Sequence, residues 1–520
     1  AGPAFVSLTW RPTEGEGQTM TRGFQLPAEP LVERNPFRGD ERPRPALPAF
    51  ADVQPGLPVP VLPHQPAWER LYWTAWESLW ACLRQPAAGA RLIGPYLQPA
   101  AGQPIEMAAA AFAGQVAGYV PGSAALIEPL DNFYARQHDT GFICRALDPA
   151  DGGDFHEAYE PNSTGPALLA WAEWRRFRLT GDSARIGDAF WPLLAYHRWC
   201  RANRTWPDGL YWATAHSSGL TNQPRVPGGR THHAHWTWVD ASAQASLDAA
   251  LLERMAVLLG EQSLAAEVAA ERVTLIQRFN AALWDEEHGF YQDVGPDGRF
   301  SAVRGIAAYW ALLDGQLVPK ERLTPFVQHL RDTWSFRTPM VLPSMAADSE
   351  AYNARTGNGW RGGVWPTLTY MVLRGLGLNE QHTLAHKLAL THVDAVSRLF
   401  ETTGRLWSHY APEDLSPGDP PEEDAAGQTA AAVIAMMLEN VVGVWVDWPL
   451  RQVTWRRSLQ DAPEYGVRGL PLGNEGALDL TSTGNRVRLR ADAPLTLVLH
   501  NGSEIIRTAV PAGAFEISLD

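Results

Sequence analysis

The sequence has little cysteine and no long apolar run. Its three cysteines, Cys82, Cys144 and Cys200, lie far apart without the paired spacing of a zinc site. We therefore expect no disulfide framework, no metal centre and a reducing compartment, the cytoplasm. No run of about 18 apolar residues is present, so we expect no membrane-spanning helix. The segment 1–16 lacks the charged and apolar regions of a signal peptide, and we expect none.

Positive charge is scarce as well. The chain has 43 Lys and Arg against 57 Asp and Glu, a formal net charge of -14, and no basic cluster. This balance argues against nucleic acid as a partner. Aromatic side chains are abundant by contrast, with 22 tryptophans. They indicate either a core of large helices or platforms that stack on sugar rings, and composition alone leaves both interpretations open.

Prolines are dense between residues 26 and 66. Each proline removes a backbone donor and restricts the residue before it, so we do not expect this segment to be helical. Its apolar part, residues 57–62, is suited to packing. We therefore predict that residues 1–66 form an extended N-terminal arm that lies over the domain that follows.

Residues 67–448 show apolar positions at the helical period of about 3.6. The predicted helices begin at Trp68 and recur at 166–179, 183–202, 240–259, 262–283, 303–314, 320–333, 363–376, 379–400 and 428–442. Short turns with a glycine, at Gly181, Gly260 and Gly377, join several of them into pairs. The other helix ends lead into long loops rich in Trp, His, Asn, Arg and Gly. Together these features predict a toroid of helical hairpins whose working face lies on the long-loop side.

Residues 449–520 change to the alternating pattern of β-strands. Strands are predicted at 486–490, 495–500, 504–507 and 514–519, with Asn501-Gly502 as a hairpin turn. We predict a small β domain that covers one side of the helical toroid.

The stretch from Trp206 to Asp240 combines aromatic rings, amides, guanidinium groups and glycine turns between two helical patterns. Such a loop is suited to a polar, ring-shaped ligand, so it indicates a sugar site. No carboxylate stands between Gly209 and Arg230. The loop's histidines, at 216, 232, 233 and 235, lack an acidic or cysteine partner, and we favour structural or sugar-contacting roles over a metal site.

Polar and aromatic side chains of the same kind occur in further loops, which begin at Pro129, Tyr159, Thr356 and Leu406. The candidate contacts to a saccharide are Asp131, Arg136, Gln137, Asn222, Arg225, Trp360, Arg361, Trp365 and Tyr410. A role in the scaffold is the alternative for each of them. For Trp365, which precedes a proline at a helix start, packing and sugar stacking are equally plausible.

The ordered motifs resemble those of the bacterial trehalase-like glycoside hydrolases close to glycoside hydrolase family 63. They include residues 219–225 (Gly-Leu-Thr-Asn-Gln-Pro-Arg) and 408–412 (Ser-His-Tyr-Ala-Pro). Mannosylglycerate and glucosylglycerate hydrolases and mannosyl-oligosaccharide glucosidases belong to that relationship. The resemblance covers residues 50–448 and implies an (α/α)6 barrel that cleaves an α-glycosidic bond with inversion, without a cofactor. The C-terminal β domain looks like the sandwich often attached to such barrels.

An inverting glycosidase needs a carboxylic acid for the leaving oxygen and a carboxylate that activates water, about 6.5 to 9.5 Å apart. The resemblance places Thr221 at the acid position and Ser408 at the base position, where the family has Asp and Glu. Neither hydroxyl readily gives or takes a proton near neutral pH. Since each carboxylate contributes about 10²- to 10⁴-fold, we expect ordinary hydrolysis to be nearly lost.

Three hypotheses follow for function. The first is a pseudoenzyme that binds a small α-glucoside or α-mannoside without ordinary turnover. The second is an active hydrolase, transferase or isomerase that uses displaced carboxylates, with Asp240 and Glu413 as candidates. Their structural alternatives are a helix cap for Asp240 and a solvated acidic loop for Glu413. The third hypothesis is a structural or partner-binding protein, and no pattern indicates an oligomeric state.

Overall fold

The computed structural model describes residues 28–40, 46–87, 89–98, 102–424, 426–459 and 462–519. The α-helices are α1 Phe50–Val53, α2 Pro66–Ala81, α3 Met107–Gly114, α4 Pro129–Ala135, α5 Leu169–Thr180, α6 Ser183–Asn203, α7 Val239–Leu258, α8 Gln262–Ala282, α9 Lys320–Gln328, α10 Pro366–Leu378, α11 His382–Thr403 and α12 Gln428–Met436. Short 3-10 helices occupy Pro30–Arg34, Gln54–Gly56, Ala117–Tyr119, Ile306–Leu312 and Trp448–Leu450, and a π-helical turn at Met437–Val442 extends α12.

The strands are β1 Val59–Val61, β2 Leu83–Arg84, β3 Tyr96–Leu97, β4 Ile105–Glu106, β5 Ala146–Leu147, β6 Trp284–Asp285, β7 Phe290–Tyr291, β8 Val444–Asp447, β9 Gln452–Arg456, β10 Tyr465–Pro471, β11 Ala477–Thr483, β12 Arg486–Ala491, β13 Leu495–Asn501, β14 Glu504–Val510 and β15 Gly513–Ser518. Strands β2 to β7 form short two-stranded ribbons in the loops, and the longer strands lie in two larger sheets.

A closed ring of six helical elements forms the inner wall of a barrel. In order they are α3, α5, α7, the 3-10 helix Ile306–Leu312, α10 and α12, each in contact with the next, and α12 returns to α3. Each follows an outer helix in the chain, namely α2, α4, α6, α8, α9 and α11. This arrangement confirms the predicted (α/α)6 barrel. Among the described residues, none of the helices is long and apolar enough to cross a membrane.

The inner helices are packed on nearly every side, and their sequences show it. Helix α3 reads Met-Ala-Ala-Ala-Ala-Phe-Ala-Gly and is almost entirely buried, so it has no polar face and no helical period to detect. Its last residue, Gly114, lies so close to α5 that an added Cβ would stand 2.9 Å from the Cβ of Ala172. Small residues therefore set the narrow spacing of the inner ring.

Short turns connect the inner to the outer helices at the end of the barrel opposite the long loops. Gly181 forms the predicted turn after α5 and takes a left-handed conformation (φ 74°). Asp182 then caps α6 by accepting from the Arg185 amide at 3.1 Å. The prediction for Gly377 was wrong, because this glycine lies inside α10. Asn379 anchors that turn instead, donating to the Leu312 carbonyl at 2.8 Å.

The C-terminal domain is a pair of β-sheets. One has the order β1-β10-β11-β12-β15 and the other β14-β13-β9-β8, with β13 and β9 parallel. The inward residues of the two sheets meet, as in the contact of Trp455 with Tyr465 at a centroid distance of 5.3 Å. The predicted strands and the hairpin after β13 are confirmed.

The N-terminal arm departs from its predicted form in two ways. It contains short helical turns at Pro30–Arg34, Phe50–Val53 and Gln54–Gly56. The first and third of these have a proline in the first turn, where it lacks only a donor that would be unpaired anyway. It also supplies β1, which pairs antiparallel with β10 and extends the C-terminal sheet. Residues 1–27 and 41–45 of the predicted arm lie outside the described residues.

Candidate functional site

The long loops precede the inner helices, so they gather at one end of the barrel, which we call the mouth. The loop of residues 356–366 is its most compact part. Gly357 has a φ of 73°, and an added Cβ would lie 2.4 Å from Gly363, whose amide donates to the Gly357 carbonyl at 3.2 Å. Only glycine allows this fold-back, which brings Trp360 and Trp365 together.

Three parallel rings form a stack in the mouth. The Trp360 and Trp365 ring centroids are 3.8 Å apart with 6° between the planes, and Trp365 and His409 are 4.4 Å apart with 9°. Trp365 therefore has both faces covered, and it offers a ligand only its edge. Burial lowers the pKa of His409, so the ring at the end of the stack is neutral. Trp360 ends the stack on the other side.

The loop that carries Thr221 is fastened to the same segment. The Asn222 side chain donates to the Asn358 carbonyl and accepts from the Trp360 amide, both at 2.8 Å. Gln223 donates to the Ser344 carbonyl at 2.7 Å. Thr221 is half-buried beside these anchors. The amide group of Asn222, predicted to contact a saccharide, is thus used to hold the loop.

Ser408 lies on the wall of a cavity in the mouth. Its amide donates to the Glu422 carbonyl at 2.8 Å, and its hydroxyl donates to the Glu423 carbonyl at 3.0 Å. The cavity has a volume of about 650 Å³. Its lining is Gln103, Trp365, Thr367, Ser408, Pro421, Glu422, Glu423, Asp424, Ala426, Gln428 and Thr429. Hydroxyl, amide and carboxylate groups thus face a space large enough for a small polar molecule.

Asp424 also lines this cavity, and it ends the acidic loop that begins at Glu413. Burial raises its pKa to about 6, against the backbone amides that it accepts from at the start of α12. One of these, the Ala430 amide, is 2.7 Å from Oδ2. Gly427 occupies the N-cap position of α12, so Asp424 reaches the start of the helix from three residues upstream and the usual capping pattern does not mark it in the sequence. The carboxyl group therefore caps α12 and borders the cavity at once.

Arg225 and Asp240, two candidates from the sequence, are paired with each other inside the wall. Arg225 Nη2 lies 2.6 Å from Asp240 Oδ2, and the two residues are only 2% and 1% exposed. Asp293 completes the cluster at 3.5 Å from Arg225, and burial raises its pKa to about 6. Arg225 and Asp240 are therefore tied to each other, and Asp240 also lines a small cavity together with Ser217 and Ser218.

The candidates of the first loop lie in the outer layer. Asp131 is 2% exposed and pairs with Arg185 at 2.6 Å. Gln137 accepts from Asn35 of the N-terminal arm at 2.9 Å and donates to the Pro192 carbonyl at 2.8 Å. Arg136 is half-buried beside the same arm. The geometry thus assigns Asp131 and Gln137 to the scaffold.

The remaining candidates are divided between surface and interior. Glu413 is exposed and accepts from the Tyr352 hydroxyl at 3.1 Å. Arg361 is exposed at the edge of the mouth. Tyr410 is buried, and burial raises the pKa of its phenol. Trp365 and Ser408 are therefore the predicted residues that line one cavity, and Trp360 stacks on Trp365 beside it.

Three of the four histidines in the stretch from Trp206 to Asp240 lie close together, namely His232, His233 and His235. The rings of His232 and His233 are 3.9 Å apart, and those of His233 and His235 are 5.0 Å apart. The Nδ1 atoms of His232 and His233 each accept a backbone amide at 3.0 Å, which leaves the proton on Nε2. In the part of the chain that the structure describes, no group of three or more His, Cys, Asp or Glu can hold a metal ion.

Residues 126–417, more than half of the chain, match the sequence profile of the mannosylglycerate hydrolase MGH1-like glycoside hydrolase domain. The chain belongs to this family. Its sequence relatives include two from distant organisms. An uncharacterized protein of Borreliella burgdorferi is 22% identical over 379 residues, 71% of this chain and 77% of the relative. A probable mannosyl-oligosaccharide glucosidase of Schizosaccharomyces pombe is 26% identical over 263 residues, 48% of this chain and 31% of the relative.

Solved structures of similar fold agree with the family. A family 63 mannosylglycerate hydrolase of Thermus thermophilus, crystallised with glucose, matches with a TM-score of 0.56 and 23% identity, over 70% of this chain and 99% of that chain. The neutral trehalase of Saccharomyces cerevisiae matches with a TM-score of 0.52 and 13% identity, over 66% and 73%. At these identities the likeness shows the fold alone, and that fold is the (α/α)6 barrel.

Proposed function

We propose that the mouth binds a small α-glucoside or α-mannoside and that the protein does not carry out ordinary hydrolysis. The observation that carries the proposal is the hydroxyl group at Ser408, on the wall of the 650 Å³ cavity, at the position that we assign to the general base. Its proton is donated to the Glu423 carbonyl at 3.0 Å. A hydroxyl bound in this way cannot activate water as a carboxylate does.

The lining of the cavity supports a saccharide as the ligand. Glu422 and Glu423 offer carboxylate acceptors, Thr367 and Ser408 offer hydroxyls, and Gln428 offers an amide. This mixture is suited to the alternating donors and acceptors of a polyol. The glucose bound to the related Thermus thermophilus hydrolase is consistent with a ligand of this class.

Residual hydrolysis is the second candidate function. Asp424 is a better candidate for its catalytic acid than Asp240 or Glu413, the two carboxylates that the sequence indicated. Asp240 is held by Arg225, whereas Asp424 borders the cavity with a pKa of about 6. An acid of that pKa is protonated in part near neutral pH and can donate to a leaving oxygen. The structural alternative is that Asp424 is buried because it caps α12.

Thermal unfolding with added saccharides tests the binding function. D-glucose, D-mannose and their α-linked glycerate glycosides are expected to raise the melting temperature saturably. Phe replacement of Thr367, a small buried residue of the lining, should reduce that shift by narrowing the cavity. A purely structural or partner-binding protein would show no shift with any saccharide.

Restoring carboxylates tests the assignment of Thr221 and Ser408. The double variant T221D/S408E should release free sugar from an α-glycoside that the wild type binds but leaves intact. The D424N variant is the matched control in both backgrounds, because a loss of activity there would assign the chemistry to Asp424. Binding without gain of turnover in T221D/S408E would contradict the assignment of the two positions.

A further inference from the structure

A second cavity lies at the end of the barrel opposite the mouth. The C-terminal parts of α5, α7 and α10 line it together with β8 and β9 of the C-terminal domain. Its volume is about 230 Å³. Its wall includes Arg175 and Arg178 of α5, Arg254 of α7, Arg374 of α10 and Arg456 of β9. Five arginines around one space are unexpected in a chain with a net charge of -14.

The carboxylates nearby balance only part of this charge. Glu439 pairs with Arg175 at 2.6 Å and with Arg374 at 3.2 Å, and Asp447 pairs with Arg178 at 2.5 Å. Cations also complement the negative ends of the three helices that finish here. Among the described residues, these two carboxylates against five arginines leave an excess of positive charge around the cavity.

Several donors in this wall have no partner. The buried Nε atoms of Arg175, Arg178, Arg374 and Arg456 make no hydrogen bond to any described residue. The Arg175 side chain is only 3% exposed, so solvent does not reach it from the open side. Unpaired guanidinium donors that are buried away from water are costly, and an anion bound in the cavity would relieve that cost.

Arg456 is a half-buried arginine of this wall without an acidic partner in the described part of the chain. Within the same ranges its side chain makes one hydrogen bond, from Nη2 to His382 Nε2 at 2.8 Å. Since His382 accepts that hydrogen bond, the imidazole is neutral and adds no positive charge. Burial lowers the pKa of the Arg456 guanidinium, which reflects a desolvated cation with no counter-ion.

Aromatic rings complete the wall. Trp171, Trp174 and Trp445 line the same space, and the Arg374 guanidinium lies 4.3 Å from the Trp445 ring centroid. Such a wall takes the carbon part of a ligand whose anionic group faces the arginines.

We propose that this cavity binds a small phosphorylated metabolite, whose phosphoryl oxygens accept from Arg456, Arg178 and Arg254. Planar guanidinium groups match phosphoryl oxygens with paired hydrogen bonds, and several arginines suit a dianion better than a single carboxylate. The site is independent of the mouth, and it gives the protein a second ligand at the junction of barrel and β domain.

Calorimetric titration of the full chain with inorganic phosphate and with D-glucose 6-phosphate, at constant ionic strength, tests this site. Each is expected to bind once per chain, and R456Q should weaken both by roughly tenfold or more, since a charge-assisted hydrogen bond is lost. R254Q removes an exposed arginine and should weaken binding without affecting folding. R490Q, an exposed arginine on β12, is the matched control and should bind as the wild type does.

Saturable binding of either probe that is weakened in R456Q and R254Q but kept in R490Q supports the site. Tighter binding of D-glucose 6-phosphate than of inorganic phosphate would show that the tryptophans contact the sugar part of the ligand. The absence of saturable binding for both probes would overturn the proposal, as would equal affinities in the wild type, R456Q and R254Q.

Discussion

Replacement of Glu439 by glutamine is expected to destabilise the barrel strongly. Glu439 lies in the π-helical turn after α12 and is 1% exposed. Its carboxylate pairs with Arg175 at 2.6 Å and with Arg374 at 3.2 Å, and it also accepts from the hydroxyls of Tyr119 and Tyr370. Glutamine keeps the shape but removes the charge, so two guanidinium groups lose their counter-ion inside the base of the barrel.

The size of the effect follows from the burial of the two arginines. Removal of one partner of a buried ion pair costs about 3–5 kcal/mol. The Arg175 side chain is 3% exposed and bears that cost in full, whereas Arg374 is 12% exposed and is partly screened by solvent. We therefore expect E439Q to lose about 4 kcal/mol, a large share of the roughly 5–15 kcal/mol that stabilises a folded protein.

Urea unfolding followed by tryptophan fluorescence measures this loss. E475Q is the matched control, because Glu475 pairs with Arg451 at 2.5 Å on the surface, with side chains 45% and 47% exposed. A surface pair contributes about 0–1 kcal/mol, so E475Q should unfold close to the wild type. If E439Q also unfolds within about 1 kcal/mol of the wild type, the reasoning that Glu439 holds the base of the barrel together is refuted.

Two further predictions concern buried ionic groups in the barrel wall. His197 contacts Asp248 at 2.7 Å and Glu271 at 3.0 Å, and these partners outweigh burial and raise its pKa from 6.5 to about 10. Stability from the protonated ring should be complete below pH 6.5 and lost as pH rises towards 10, and urea unfolding at stepped pH should show this decline in the wild type but not in H197Q. D240N should cost about 3–5 kcal/mol by leaving Arg225 short of a partner, and it should not alter saccharide affinity at temperatures where the variant is folded, as isothermal titration can check.

The fold could largely be predicted because its signals are local. Alternation in residues 486–519 predicts the last four strands, β12 to β15, whereas β8 to β11 were not predicted. Gly181 followed by Asp182 marks the turn between α5 and α6. Helix α3 was not predicted, because an element buried on all sides has no amphipathic period. The role of Asn379 in its turn was not predicted, because its hydrogen bond reaches Leu312, which is distant in sequence.

The candidate site was predictable in place but not in the role of each side chain. The loops that carry Thr221, Trp360 and Ser408 do meet at the mouth. Arg225 and Asp240 were chosen as a ligand contact and a catalyst, yet they pair with each other, a fact that only the folded chain reveals. A residue type that suits a sugar also suits a buried ion pair, and the sequence alone does not separate the two.

Release of sugar from 2-O-α-mannosylglycerate and 2-O-α-glucosylglycerate by the wild-type protein tests the central claim most directly. The reaction can be followed by NMR of the anomeric proton at glycoside concentrations that saturate the thermal shift. With hydroxyl groups at Thr221 and Ser408, we predict release no faster than in a blank without protein, while both glycosides remain bound. Turnover at about 1 s⁻¹ or more, as in ordinary enzymes, with the β-anomer as the first product, would contradict the claim.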